Sequence, residues 1–226
     1  MNNKTLLLDL DGTLTDPKIG ITTCILYGLA QVGHPIDEHT DLDWCIGPPL
    51  KASLEQLLPD NARHLAQAAL DAYRERFGSI GLFENHVYPH VTETLTTLKQ
   101  SGFSLILATA KPTVYAKRIL EHFNIASCFT AIHGSELDGT RTDKTELLAF
   151  ILEQHQLQAH ECIMVGDRHY DVMAARNNGM KVVGVTYGYG NEAERQQAPA
   201  DVLIDCFGQL PQAVAQLLAK NTCAIR

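Results

Sequence analysis

Four short, almost wholly apolar runs are spread along the 226 residues, at positions 5–10, 103–108, 162–166 and 181–185. Runs of this length with little polar alternation fit strands buried on both faces, as in a parallel sheet. Weaker runs of the same kind lie at 129–132 and 201–204. Helical spacing fills the intervals. Val91, Leu95 and Leu98 share a face, and Gly102 supplies a stop. Ile119, Leu120 and Phe123 follow Pro112, a residue suited to a helix start. Leu147, Leu148, Ile151 and Leu152 form another stripe, and Leu210, Val214, Leu217 and Leu218 the last. Alternating strands and helices predict an α/β fold, a doubly wound parallel sheet.

One stretch breaks the alternation. Residues 17–83 carry three helical stripes and no strand pattern: Ile21, Ile25, Leu29 and Val32; Leu50, Leu54, Leu57 and Leu58; Leu65, Ala69, Tyr73 and Phe77. Turn signals separate them at Gly33-His34-Pro35, Gly47-Pro48-Pro49 and Leu58-Pro59-Asp60. The expected organisation is a core domain of residues 1–16 and 84–226, with an all-helical domain, 17–83, inserted after the first strand. With 45% hydrophobic residues the chain can bury such a core.

Charge and cysteine usage narrow the function classes. A formal net charge of −8 argues against binding a nucleic-acid polymer. Any anionic substrate must be attracted locally. Cys24, Cys45, Cys128, Cys162, Cys206 and Cys223 have wide, irregular spacings, so they read as reduced thiols, not zinc ligands. Asp9 interrupts the first apolar run too early for a secretory signal, and no stretch reaches the roughly 20 apolar residues of a membrane helix. A cytoplasmic location without membrane attachment is expected; the oligomeric state is not legible.

Ligands of open parallel sheets bind beyond the carboxyl ends of the strands. Those ends carry Asp9 and Asp11, then Thr109 and Lys111, then Asp167 and Asp171, while Lys144 opens the helix of Leu147 and Leu148. Clustered carboxylates repel one another, and a hard divalent cation such as Mg2+ resolves the repulsion. Lysine and threonine can bind phosphoryl oxygens, and an aspartate can attack phosphorus. A second carboxyl two residues on can work as general acid and base.

The stretch Asp9-Leu10-Asp11-Gly12-Thr13-Leu14-Thr15, Thr109 after its apolar run, Lys144, and Gly166-Asp167-Arg168-His169-Tyr170-Asp171 together resemble the four motifs of the haloacid dehalogenase (HAD) superfamily phosphatases. The resemblance spans essentially the whole chain, and the helical insert stands where the family's first cap class is placed. It implies a Rossmann-like HAD core and a magnesium-dependent phosphomonoester hydrolase working through an aspartyl-phosphate. Asp9 would be the nucleophile and Asp11 the acid and base. Asp9, the backbone carbonyl of Asp11, and Asp167 would hold Mg2+, with Asp171 supporting the metal shell or Lys144. Thr109 and Lys144 would bind the phosphoryl group, and the cap would supply selectivity. Residues 46–50, 108–112, 134–141 and 184–190 further resemble a subgroup described as phosphoglycolate phosphatase-like and 5′-nucleotidase-like. The expected partner is therefore a small phosphate ester.

Other readings stand beside this one. A phosphomutase shares the Asp9/Asp11 pair. A non-catalytic phosphoacceptor has no use for the insert, and a dehalogenase has none for Asp11. A phosphonatase needs a lysine in the cap, where Lys51 stands. Lys111 is grouped with the substrate-binding residues because it could reach an anion. Arg168 is expected to pair with a carboxylate and Arg141 to brace the loop before Lys144. Trp44 and Tyr187 to Tyr189 are expected to pack, and His86 and His90 to be ordinary loop residues. Gly47-Pro48-Pro49 with Lys51 reads equally as a site-facing element or an interhelical turn.

Overall fold

The computed structural model describes residues 4–223, with side chains to residue 219; the Cys223 thiol lies outside the described residues. Contacts divide the chain into two compact units, residues 16–86 and the remainder.

The larger unit is built on six parallel strands. They are β1 (Thr5–Leu8), β4 (Ser104–Pro112), β5 (Ala131–Ser135), β6 (Cys162–Gly166), β7 (Lys181–Val185) and β8 (Val202–Ile204), in the order β5-β4-β1-β6-β7-β8. Two further short strands, β2 (Thr15–Asp16) and β3 (His86–Val87), pair with each other. Every residue of β1 and β6 is buried, which is why their sequences run apolar without alternation. Between the strands run α4 (Val91–Gln100), α5 (Thr113–His122), α6 (Lys144–Gln154), α7 (His169–Asn177) and α8 (Glu192–Gln197), and α9 (Leu210–Cys223) follows the last strand. Leu7, Ile106 and Met164 from the sheet pack with Leu147, Leu148 and Ile151 of α6 and Val172 of α7. Among the described residues no helix is long and apolar enough to cross a membrane.

Several boundaries differ from the sequence reading. β1 ends at Leu8, because the Leu10 carbonyl accepts the amides of Thr13, Leu14 and Thr15 in a tight turn. The Asp9 amide still donates to the Val165 carbonyl at 2.9 Å. β5 starts at Ala131, after a 3-10 turn over Ala126–Cys128, and continues to Ser135. β4 does not stop at Thr109 but continues to Pro112 through an irregularity in its pairing with β5.

The smaller unit holds α1 (Lys18–Gln31), α2 (Leu50–Leu57) and α3 (Ala66–Ser79). Ile21, Ile25, Leu29, Leu54, Ala69, Tyr73 and Phe77 are buried, and the Tyr73 and Phe77 rings stack at 5.2 Å. Arg76 of α3 makes a two-pronged pair with Glu84, at 2.7 and 2.9 Å. Residues 47–49 lead directly into α2, and Lys51 is exposed. Trp44, expected to pack, is 38% exposed. It lies in a 3-10 turn in which Cys45 and the following Ile46 are the buried side chains.

Candidate active site

The parallel register sets the site. Leu8 is level with Leu107 of β4 and Val165 of β6. Asp9, Thr109 and Asp167 therefore emerge at neighbouring positions on the carboxyl edge of the sheet. All three are buried, as are Asp11, Lys111, Lys144 and Asp171.

Lys144 is the hub. Its ammonium donates to Asp9 Oδ1 at 2.7 Å and to the Ala108 carbonyl at 2.9 Å, and lies 2.9 Å from Asp171 Oδ1. Its backbone is fixed by the start of α6, where the Asp143 carboxylate accepts the amides of Thr145 and Glu146 at 2.7 and 3.1 Å. Burial alone would depress the Lys144 ammonium, but Asp171 and Asp9 outweigh it and hold the group above its ordinary range.

Asp171 is positioned the same way, from a helix start. Its Oδ2 accepts the Arg168 amide at 3.1 Å at the head of α7. Burial raises its carboxyl to about 6, against the pull of Lys144 and with a further push from Asp9. Asp167 is raised well above the carboxylate range by burial and then by Asp171 and Asp9, although the Tyr189 amide donates to its Oδ2 at 2.7 Å.

Gly12 makes room for Asp167. A Cβ at Gly12 would stand 2.3 Å from Asp167 Oδ2, and the backbone there has φ +78°.

Asp11 faces the second lysine. Lys111 Nζ lies 2.9 Å from Asp11 Oδ2. Burial raises the Asp11 carboxyl, Lys111 opposes that, and the balance stays above the ordinary value. Thr109 Oγ1 accepts the Lys111 amide at 3.2 Å.

The residues present fit a divalent cation. Oxygens of Asp9, Asp167 and Asp171 lie within 4.8 Å of one another. Asp167 Oδ1 is buried and takes no hydrogen bond from the described residues. Asp9, Asp11, Asp167 and Asp171 against Lys111 and Lys144 give a formal balance of −2, and hard cations prefer such oxygen ligands.

The structure thus brings all seven candidate residues to one edge. Arg168 instead binds Glu194 through Nε and Nη2, at 2.9 and 2.8 Å, and His169 joins the same carboxylate. Arg141 pairs with Glu136 and lies over the Phe150 ring. The Tyr187 hydroxyl donates to the Thr13 carbonyl at 2.8 Å, and its ring meets Tyr88 edge-on, so it packs as expected. His90 caps α4 in a left-handed conformation and pairs with Glu93. Sequence reasoning missed Glu194 and the Tyr189 amide. The first is 26 residues from Arg168, and the second is a backbone group that any residue but proline offers.

Comparison with known proteins finds relatives along most of the chain. Residues 6–185 match the family described as haloacid dehalogenase-like hydrolase. A 5′-nucleotidase of Pseudomonas aeruginosa is 45% identical over 190 residues, 84% of this chain and 85% of its own. A phosphoglycolate phosphatase of Vibrio parahaemolyticus is 30% identical over 220 residues, covering 94% of this chain and 96% of its own. The crystal structure of a predicted phosphatase from Clostridium acetobutylicum superposes with a TM-score of 0.88 at 39% identity, over 95% of this chain and 99% of that one.

Proposed function

The chain belongs to the haloacid dehalogenase-like hydrolases and is a phosphatase, and we propose that it is a magnesium-dependent phosphomonoesterase working through an aspartyl-phosphate. Its substrates are small phosphorylated metabolites of the phosphoglycolate or nucleoside 5′-monophosphate type. The observation that carries this reading is the buried meeting of Lys144 with Asp9 and Asp171, with Asp11 and Asp167 alongside.

Asp9 attacks phosphorus, and the bond from phosphorus to the ester oxygen breaks. The proton of Asp11 passes to that leaving oxygen. Water then attacks the aspartyl-phosphate, gives its proton to Asp11, and frees Asp9 and inorganic phosphate. Thr109 and Lys144 bind the phosphoryl oxygens and stabilise the charge on them. Asp9, the Asp11 carbonyl and Asp167 would hold Mg2+, and Asp171 keeps Lys144 in place. When bound, the ion screens the clustered carboxylates from the phosphate dianion and polarises its oxygens.

The identities of the two relatives support the substrate class. The test is phosphate release from a panel of nucleoside 5′-monophosphates, phosphoglycolate, sugar phosphates and p-nitrophenyl phosphate, with Mg2+ or with EDTA. Turnover is expected only with Mg2+, and Asp9→Asn abolishes it while the protein stays folded. Release in EDTA at the full rate sinks the metal assignment, and an active Asp9→Asn sinks the nucleophile.

A further inference from the structure

Two buried lysines enter one site, and their surroundings differ. Lys144 joins Asp9, the nucleophile in the reading above, and Asp171, which holds it in place. Lys111 turns instead to Asp11. The Lys111 and Asp11 side chains are only 5% and 10% exposed, and the contact is 2.9 Å from Nζ to Oδ2. The other oxygen, Asp11 Oδ1, is buried and accepts nothing from the described residues. One oxygen is anchored and the other is open.

The backbone is shaped to deliver this contact. Ala108 pairs with His133, and Pro112 with Ser135. Three residues of β4 therefore stand opposite one residue of β5, so the strand carries two extra residues at this point. Three fastenings hold the irregular segment. The Lys111 amide donates to Thr109 Oγ1 at 3.2 Å, and Ser135 Oγ donates to the Ala110 carbonyl at 2.7 Å. At Gly134 a Cβ would stand 2.2 Å from the Lys111 carbonyl, so only glycine lets the strand come this close.

We propose that Lys111 is a positioning residue: it grips one oxygen of Asp11 so that the other faces the ester oxygen that leaves. Lys111 is therefore not a phosphate ligand in this reading, which rests on the phosphatase mechanism proposed above. Proton transfer depends on such placement, because a general acid must sit within hydrogen-bond reach of the atom it protonates. The proton of Asp11 goes to the leaving oxygen as its bond to phosphorus breaks. Lys111 keeps its own protons and holds the carboxylate until water returns one.

A leaving-group comparison separates positioning from binding. An alkyl phosphate needs its leaving oxygen protonated, whereas the p-nitrophenolate of an aryl phosphate leaves largely unaided. The full-length protein with Mg2+ is assayed on p-nitrophenyl phosphate and on the best alkyl ester of the panel. Lys111→Met should lower kcat/KM, which reports formation of the aspartyl-phosphate, about 100-fold on the alkyl ester and less than about 10-fold on the aryl ester, in line with the loss of general acid catalysis. Asp11→Asn should give the same pattern. The double variant should be no slower than Asp11→Asn within about 3-fold, since residues acting as one unit are not additive. Lys111→Arg should recover part of the alkyl rate.

The alkyl-to-aryl ratio is taken within one sample, so a reduced folded fraction cancels. If Lys111→Met yields no folded protein, the ratio for Lys111→Arg decides, and it should lie between wild type and Asp11→Asn. Equal losses of kcat/KM on both esters, or additive losses in the double variant, overturn the proposal. A wild-type protein that hydrolyses neither ester defeats the phosphatase mechanism itself. Wild-type turnover with a ratio unmoved by Lys111 defeats this inference alone.

Discussion

Replacing Lys144 by methionine keeps most of the side-chain volume and removes the charge shared by Asp9 and Asp171. In the wild type both carboxylates lie within 2.9 Å of the ammonium, and Asp171 is 1% exposed. Removing one partner of a buried ion pair typically costs about 3–5 kcal/mol. In a chain of this size each kcal/mol lowers Tm by about 2–4 °C, so a fall of about 6–20 °C is expected. The measurement belongs in EDTA, where no cation replaces the lost charge. The loss should also depend on pH. Asp171 titrates near 6 in the wild type, already above the ordinary carboxylate value. Its raised value makes the folded state the better proton binder, so its contribution to stability falls as pH rises through that range. Without Lys144, which pulls it down, its carboxyl is pushed higher still. The variant's deficit should therefore be larger at pH 7 than at pH 5, by at most about 1.4 kcal/mol over that interval, the limit in which the variant's carboxyl stays protonated throughout. Urea unfolding at both pH values measures it. A deficit below about 1 kcal/mol at pH 7, or one that grows toward pH 5, refutes the reasoning.

Gly12→Ala places a methyl 2.3 Å from Asp167 Oδ2 on a backbone with φ +78°. It should cost about 1–2 kcal/mol from the backbone alone and raise the Mg2+ concentration for half-maximal activity; an unchanged Mg2+ response disproves the role given to Asp167. Arg168→Met leaves the partly buried Glu194 with His169 alone, where Arg168 and His169 together hold its carboxyl below the usual range against the effect of burial. Stability should fall by about 1–3 kcal/mol with KM unchanged, and a raised KM at unaltered stability would make Arg168 a substrate ligand.

The parts of the fold legible in the sequence are those that burial alone dictates. β6 and β7 are wholly or almost wholly buried, and their apolar runs mark their ends to the residue. α8 left no such trace, because its six residues, EAERQQ, include none that is buried. The acidic and hydroxyl residues of the site were legible for a related reason. A charged or polar residue at the tip of a buried strand stands out against its apolar run, and the parallel topology gathers the tips. What the sequence could not assign was which partner each lysine takes. Lys144 and Lys111 are both single cations just beyond a strand or at a helix start, and nothing local distinguishes them. Their roles separate only through distant geometry: the cap of α6 sends Lys144 to Asp9, 135 residues away. The two extra residues of β4 send Lys111 to Asp11. The only sequence marks of that second device are Thr109, Gly134 and Ser135, three common residues whose joint meaning depends on strand register. A change that restores regular pairing between β4 and β5 should therefore uncouple Lys111 from Asp11 while leaving both residues in place.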